Sequence, residues 1–285
     1  MSIFSKLGIS PQGDDVAVSM GNKSAVRAIS LLIFALLPIF LFYASILYSS
    51  VNIPVGDDYP TILGFTNDFL SGSHNQFALL FSQHSEHRVL LCRIITLLLY
   101  FLTGSIDFRI LILIGNLSLL AFAALLFFSL VLSMRKIKAF YFIPVLFILF
   151  QPQYYAGSLM AMAALSLLSV IFFVYLTVYY LGIGPVRNFI FSLAMAILTT
   201  FINGNGMFVF LSGAIILILY KQYKRCLVWL LSGIVTVSIY FIEYTKPAYT
   251  PDPMSVLIHP IDAVRYLFSF MGSSIPYFVP GGFRY

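Results

Sequence analysis

The chain has 285 residues, 60% of them hydrophobic and only 9% charged, with a net charge of +6 and a mean hydropathy of +0.97. That apolar fraction lies far above the roughly 45–50% of soluble domains, and the long continuous apolar runs exclude an outer-membrane barrel of short alternating strands. The Lys and Arg residues sit in short clusters between apolar runs, the mark of inner-side loops rather than of a nucleic-acid surface, and two distant cysteines, Cys92 and Cys226, imply no disulfide framework. The expectation is an all-α polytopic membrane protein.

In chain order, residues 1–25 read as a loosely ordered polar segment on the cytoplasmic side. A membrane module spans 26–244, and its first span covers about Ala25–Tyr48. The outer loop 49–107 follows, and its stretch Val51–Arg88 gathers Asp57, Asp58, Asp68, His74, His84, Glu86, His87 and Arg88, which is four of the ten acidic residues and three of the four histidines. Ionisable groups concentrated at one interface of a membrane protein point to binding or chemistry there. Within the loop, Ile62, Phe65, Phe69 and Leu70 fall at helical spacing, as in a short helix lying along the surface.

Val89–Gly104 is apolar but about 16 residues long, short of the roughly 20 needed to cross. If it crosses from an inner N-terminus, seven of the 16 Lys and Arg lie inside; if it dips in and returns, ten do, including RKIK (Arg135–Lys138) and KQYKR (Lys221–Arg225). A crossing with the N-terminus outside divides them nine to seven. The positive-inside rule favours the juxtamembrane helix. Further spans then run at about Phe108–Met134, Ala139–Phe150 (interrupted by Pro144), Ser158–Leu181, Phe189–Ile202, Met207–Tyr220 and Cys226–Tyr244, seven in all. The tail 245–285, rich in Pro and aromatics, reads as an outer loop with a short helix. In this topology GDDY (Gly56–Tyr59), QPQYY (Gln151–Tyr155), NGNG (Asn203–Gly206) and the tail share the outer side.

Gly56-Asp57-Asp58-Tyr59 just after a first span, SQHSEHRVLL (Ser82–Leu91) ahead of an apolar juxtamembrane helix, and GSIDFR (Gly104–Arg109) before a long span with a basic end resemble the GT-C superfamily of integral-membrane glycosyltransferases, and in particular its aminoarabinose- and mannose-transferring members. The second motif differs in its letters from theirs. The resemblance implies a sugar moved from a polyprenyl-phosphate donor to a surface glycan or lipid such as O-antigen. It places the chain in a bacterial inner membrane with a periplasmic site, served by a donor synthase and a flippase. The family carries more than seven spans, so the chain is expected to be a short or truncated member.

The resemblance makes Asp57 or Asp58 the carboxylate that takes the acceptor proton, one base being enough because polyprenyl phosphate is itself the leaving group. The competing reading is a helix-capping Asp pair. His84, Glu86, His87, Arg88 and Arg93 are the candidates for holding the lipid phosphate, with Arg giving bidentate contacts; snorkelling and local ion pairing compete. His84 and His87, three apart, would share a helical face and with an Asp could hold a divalent metal. Asn203 and Asn205 could bond sugar hydroxyls or merely form a turn between spans. Tyr59, Gln151, Tyr154 and Tyr155 could stack on sugar or anchor the interface. His259 and Arg265 enter only through the tail's expected side. Asn116, mid-span, suits an interhelical hydrogen bond.

Two other classes of function compete. A flippase of polyprenyl-linked sugars would carry midplane charges and inverted repeats, neither of which the sequence shows. A non-catalytic membrane subunit would need an obligate partner.

Overall fold

The computed structural model describes residues 12–72, 75–133, 138–182, 184–250 and 254–272. His74, most of the RKIK cluster (Arg135, Lys136) and the last residues of the tail lie outside this set. The chain forms two units, Met1–Ile242 and Glu243–Tyr285.

The first unit is an α-helical membrane protein. Helix α1 (Gln12–Ser49) leads into the loop, and it begins well inside the segment expected to be loosely ordered. A π-helical stretch, Tyr59–Gly64, continues into α2 (Phe65–Ser71), followed by α3 (Gln76–Leu80) and a hairpin of β1 (Gln83–His84) and β2 (His87–Arg88). Then come α4 (Leu90–Thr103), α5 (Phe108–Phe127, prolonged to Ser133), α6 (Ile143–Leu149) and α7 (Tyr155–Ser158). A single apolar run passes through α8 (Ala161–Ala163) and a π-helical stretch into α9 (Ser169–Gly182). The unit closes with α10 (Val186–Ile202), α11 (Phe208–Leu219) and α12 (Tyr223–Tyr240).

Every expected span lies on a helix, but the count of seven needs correction. Among the described residues, three helices are long and apolar enough to cross a membrane: Val26–Ser49, Phe108–Leu132 and Ala161–Gly182. Ala139–Phe150 breaks into a 3₁₀ turn and the seven residues of α6, with Pro144 at its start. Helix α11 has 12 residues, roughly 18 Å of rise against a hydrocarbon core of roughly 30 Å. Helix α10 has 17 residues, and α12, though 18 long, opens on Lys224 and Arg225.

Helix α4 starts and finishes at one end of the bundle. Its entry is tied there by Arg88, whose side chain bonds the carbonyls of Tyr240, the last residue of α12, and of Ile242 just past it. Its exit is Gly104, at φ +74, after which Phe108 N donates to Asn52 Oδ1 (2.8 Å), just past the end of α1. Asp107 caps α5 by accepting from Arg109 N and Ile110 N. At 14 residues α4 is too short to span, and its buried face carries Cys92, Arg93 and Thr96.

Packing is closest where α5 crosses the run from α8 to α9. A Cβ on Gly115 would lie 2.5 Å from the Ala164 carbonyl carbon, so the helices meet backbone to backbone. Beside this contact Asn116 Nδ2 donates to Ser158 O (2.8 Å) and Ser118 pairs with Ser169 (2.8 Å). A second core, centred on fully buried Trp229, joins α9 to α12; its indole donates to Phe210 O (2.8 Å) and fills the space left by Gly213. Leu, Ile and Phe side chains of α1 and α11 face outward in large numbers, as lipid contact demands. The second unit holds α13 (Ser255–Ile258) and amphipathic α14 (Pro260–Gly272), in which Arg265 pairs with Asp262 at 3.4 Å.

Candidate functional site

The loop separates the two adjacent aspartates into different surroundings. Gly56 adopts φ +54, and this turn points Asp58 inward, where it is buried. Its Oδ1 accepts from Met162 N (2.8 Å), and its Oδ2 from Val55 N (3.1 Å) and Ala161 N (3.3 Å). Asp58 therefore closes its own turn and caps the start of the α8–α9 run from a hundred residues away, using the amide groups that a helix start leaves without partners. Burial pushes its carboxyl above the usual range, the three N–H bonds pull it back, and neighbouring Asp57 adds a smaller upward push. This engagement suits structure better than proton transfer with an incoming substrate.

Asp57 faces outward with half its side chain exposed, and its Oδ1 stands 3.8 Å from His84 Nε2. That distance is beyond a direct hydrogen bond and leaves the two groups in electrostatic contact.

The two histidines share a face, though not because of a helix. In the hairpin register His84 lies opposite His87, and directly opposed residues project to one side of a two-stranded ribbon. The turn between them is made by Ser85, at φ +50, and Glu86. His84 Nε2 and His87 Nδ1 are buried without a hydrogen-bond partner in the described structure. Burial holds the His84 imidazole below its ordinary 6.5, with Asp57 opposing and Arg93 adding to the shift. Burial likewise lowers His87, against the pull of Glu86 and with a small contribution from His84. Both are neutral at neutral pH.

A pH dependence follows. With folded pKa values below the unfolded one, the unfolded chain binds more protons in the window under pH 6.5. The stability from these groups is full above about 6.5 and is lost as pH falls through each folded pKa. Thermal unfolding in detergent should show a lower Tm from pH 6.5 downward, and His84→Gln with His87→Gln should flatten that slope.

Both arginines expected to hold phosphate are occupied by backbone. Arg88 is buried; its Nε donates to Tyr240 O (2.8 Å), Nη2 to Ile242 O (2.5 Å) and Nη1 to Phe81 O. Its guanidinium also lies over the Tyr240 ring, 5.6 Å from the centroid. Arg93 Nη1 donates to Leu79 O (2.9 Å), Leu80 O (3.1 Å) and Ser82 O (2.6 Å), with its guanidinium over Phe65. These bonds clasp the loop, while Arg93 Nε is buried without a hydrogen-bond partner among the described residues. Glu86 is half-buried at the hairpin tip, and its carbonyl accepts from Tyr240 Oη (3.3 Å).

The NGNG turn meets the hairpin. A Cβ on Gly204 would fall 2.7 Å from Tyr240 Oη and 3.0 Å from His87 Nδ1, and one on Gly206 would strike Thr199 O at 2.2 Å. Both glycines are there for close approach. Buried Asn203 spends its Oδ1 on Asn205 N (3.1 Å), as a turn-former does. Asn205 is exposed, as are Tyr59 and Tyr155, while Gln151 is half-buried. Tyr154 packs toward Phe42, 6.1 Å between ring centroids. His259 and Arg265 belong to the second unit.

Among the described residues no three His, Cys, Asp or Glu side chains come together to hold a metal ion, so the expected set of His84, His87 and an Asp is not assembled. Tyr240 and Asn52, both structural keystones of this end, escaped the sequence reading, since each acts on backbone far away in the chain. No family model matches this chain, and no curated protein and no solved structure matches it.

Proposed function

We propose that this chain is a membrane glycosyltransferase that moves a sugar from a polyprenyl-phosphate donor to a surface glycan or lipid, with Asp57 as its base. The observation that carries the reading is the Asp57–His84 pair, a half-exposed carboxylate beside a neutral imidazole at the membrane-boundary end of the bundle. In the reaction Asp57 takes the acceptor hydroxyl proton as that oxygen bonds to the anomeric carbon. The bond from that carbon to the donor phosphate breaks, and the phosphate leaves with the electron pair, needing no proton of its own. Asp57, half-exposed, then releases the proton to solvent. Arg88 and Arg93, buried as well as bonded to backbone carbonyls, are given no part in holding the phosphate. Asn205, exposed beside the hairpin, keeps its role toward sugar hydroxyls. The proposal keeps the N-terminus cytoplasmic and the site periplasmic in a bacterial inner membrane, with a donor synthase and flippase upstream.

The test is mass spectrometry of surface glycans from cells expressing wild type or Asp57→Asn at matched protein levels. Transfer should fall by about 10²-fold or more while the Tm of the purified chain is unchanged. A wild-type glycan profile from Asp57→Asn would overturn the proposal. The engagement of both arginines with backbone favours one second reading, a membrane subunit without chemistry of its own. That reading predicts unaltered glycans in Asp57→Asn together with an obligate partner that co-purifies.

A further inference from the structure

We infer that the cleft at the opposite end of the bundle from Asp57 binds a phosphate-bearing anion. The cleft, about 680 Å³, lies between the turn from α9 to α10 and the turn from α11 to α12, and is lined by Gly184, Lys221, Gln222, Tyr223, Lys224 and Arg225. Half of these residues are cationic and none is acidic. The sequence contains no Asp or Glu at all between Asp107 and Glu243, so the turns and helices that build the cleft bring no carboxylate to neutralise it.

Inner-side loops collect Lys and Arg in any membrane protein, and that tendency requires no ordered arrangement. Here there is one. Arg225 Nη1 donates to Gly184 O (3.0 Å) and to Gln222 Oε1 (2.8 Å), and its guanidinium lies over the Phe189 ring at 5.7 Å. A guanidinium fixed by three partners is a preorganised charge, which lowers the entropy cost of receiving an anion. Lys221 occupies φ +56, an uncommon conformation for a side chain of its size. Its turn is closed by Lys221 N to Ile218 O (2.9 Å) and Gln222 N to Leu217 O (2.8 Å). Lys221 and Lys224 are exposed at the rim. One oriented fork and two exposed ammonium groups suit an anion with several oxygens, as phosphate has, better than a single carboxylate. The position at the ends of membrane helices makes an acidic phospholipid headgroup one source of that phosphate, and a soluble phosphate compound the other.

The experiment uses the full chain in neutral detergent, with the double variant Lys221→Gln/Lys224→Gln as comparison. Native mass spectrometry would be read with phosphatidylglycerol and phosphatidylcholine, and thermal shift with inorganic phosphate and glycerol phosphate. Phosphatidylglycerol should be retained on the order of tenfold better than phosphatidylcholine, and the double variant should lose that preference. Because both lysines are exposed, its Tm in detergent alone should match wild type. Stabilisation of wild type but not the variant by the soluble phosphates, with no preference between the lipids, would also support the site and assign it to a soluble ligand. Equal retention of the two lipids with no response to phosphate, or a double variant that behaves as wild type with every probe, would overturn the inference.

Discussion

Arg88→Ala is expected to release the hairpin from α12 and to lower the Tm of the purified chain by on the order of 10 °C. The buried guanidinium satisfies the carbonyls of Tyr240, Ile242 and Phe81, and hydrogen bonds from a charged group contribute about 1.5–3 kcal/mol each. Water at the boundary recovers part of that loss, which leaves a cost on the order of 4 kcal/mol. Arg88→Lys separates this role from phosphate binding. An ammonium cannot reach three divergent carbonyls, so the lysine variant should be nearly as unstable as the alanine one, and the Ser82–Arg88 segment should become sensitive to protease in both. A lysine variant with wild-type Tm and protease resistance, altered only in activity, would return Arg88 to the ligand.

How much of this was legible in the sequence depends on the range of the interaction. The helices read well because an apolar run reports its own burial. Phe108 onward and Ser158 onward were expected as spans, and α5 with its extension and the α8–α9 run lie there. Span number read poorly for a related reason. Composition cannot show where a run loses residues to turns, as at Pro144 or between Asn203 and Met207, and α11 is left with 12 residues. The hairpin is not legible because two-residue strands carry too little periodicity to register, and the three-residue spacing of His84 and His87 suggests a helical face that the chain does not use.

The arginines mark the other limit. Nothing local distinguishes an Arg that will clasp carbonyls from one that awaits a phosphate, since both need the same donors. Arg88's partners at the end of α12 lie some 150 residues away, and only folding brings them close. What the letters did carry was the concentration of ionisable groups in one loop. The structure divides that set by burial, with Arg88, Arg93 and Asp58 inside and Asp57 outside.

The aspartates give the sharpest separation of fold from activity. Asp58→Asn is expected to be destabilising although it preserves shape. The carboxylate accepts on both oxygens, from Met162 N on one and from Val55 N and Ala161 N on the other. An amide must turn its NH₂ toward one set of donors, so at least one buried N–H loses its acceptor, at about 1–3 kcal/mol each. Asp58→Ala removes all three bonds and should cost several kcal/mol, with a Tm decrease on the order of 10 °C. Asp57→Asn, at a half-exposed position, should leave Tm within about 1 °C of wild type and still abolish transfer. Thermal shift and glycan analysis on the same four proteins decide the matter. If Asp58→Asn were as stable as wild type and inactive, with Asp57→Asn active, the catalytic carboxylate would be the buried one, and the capping role drawn from its three amide bonds would be wrong.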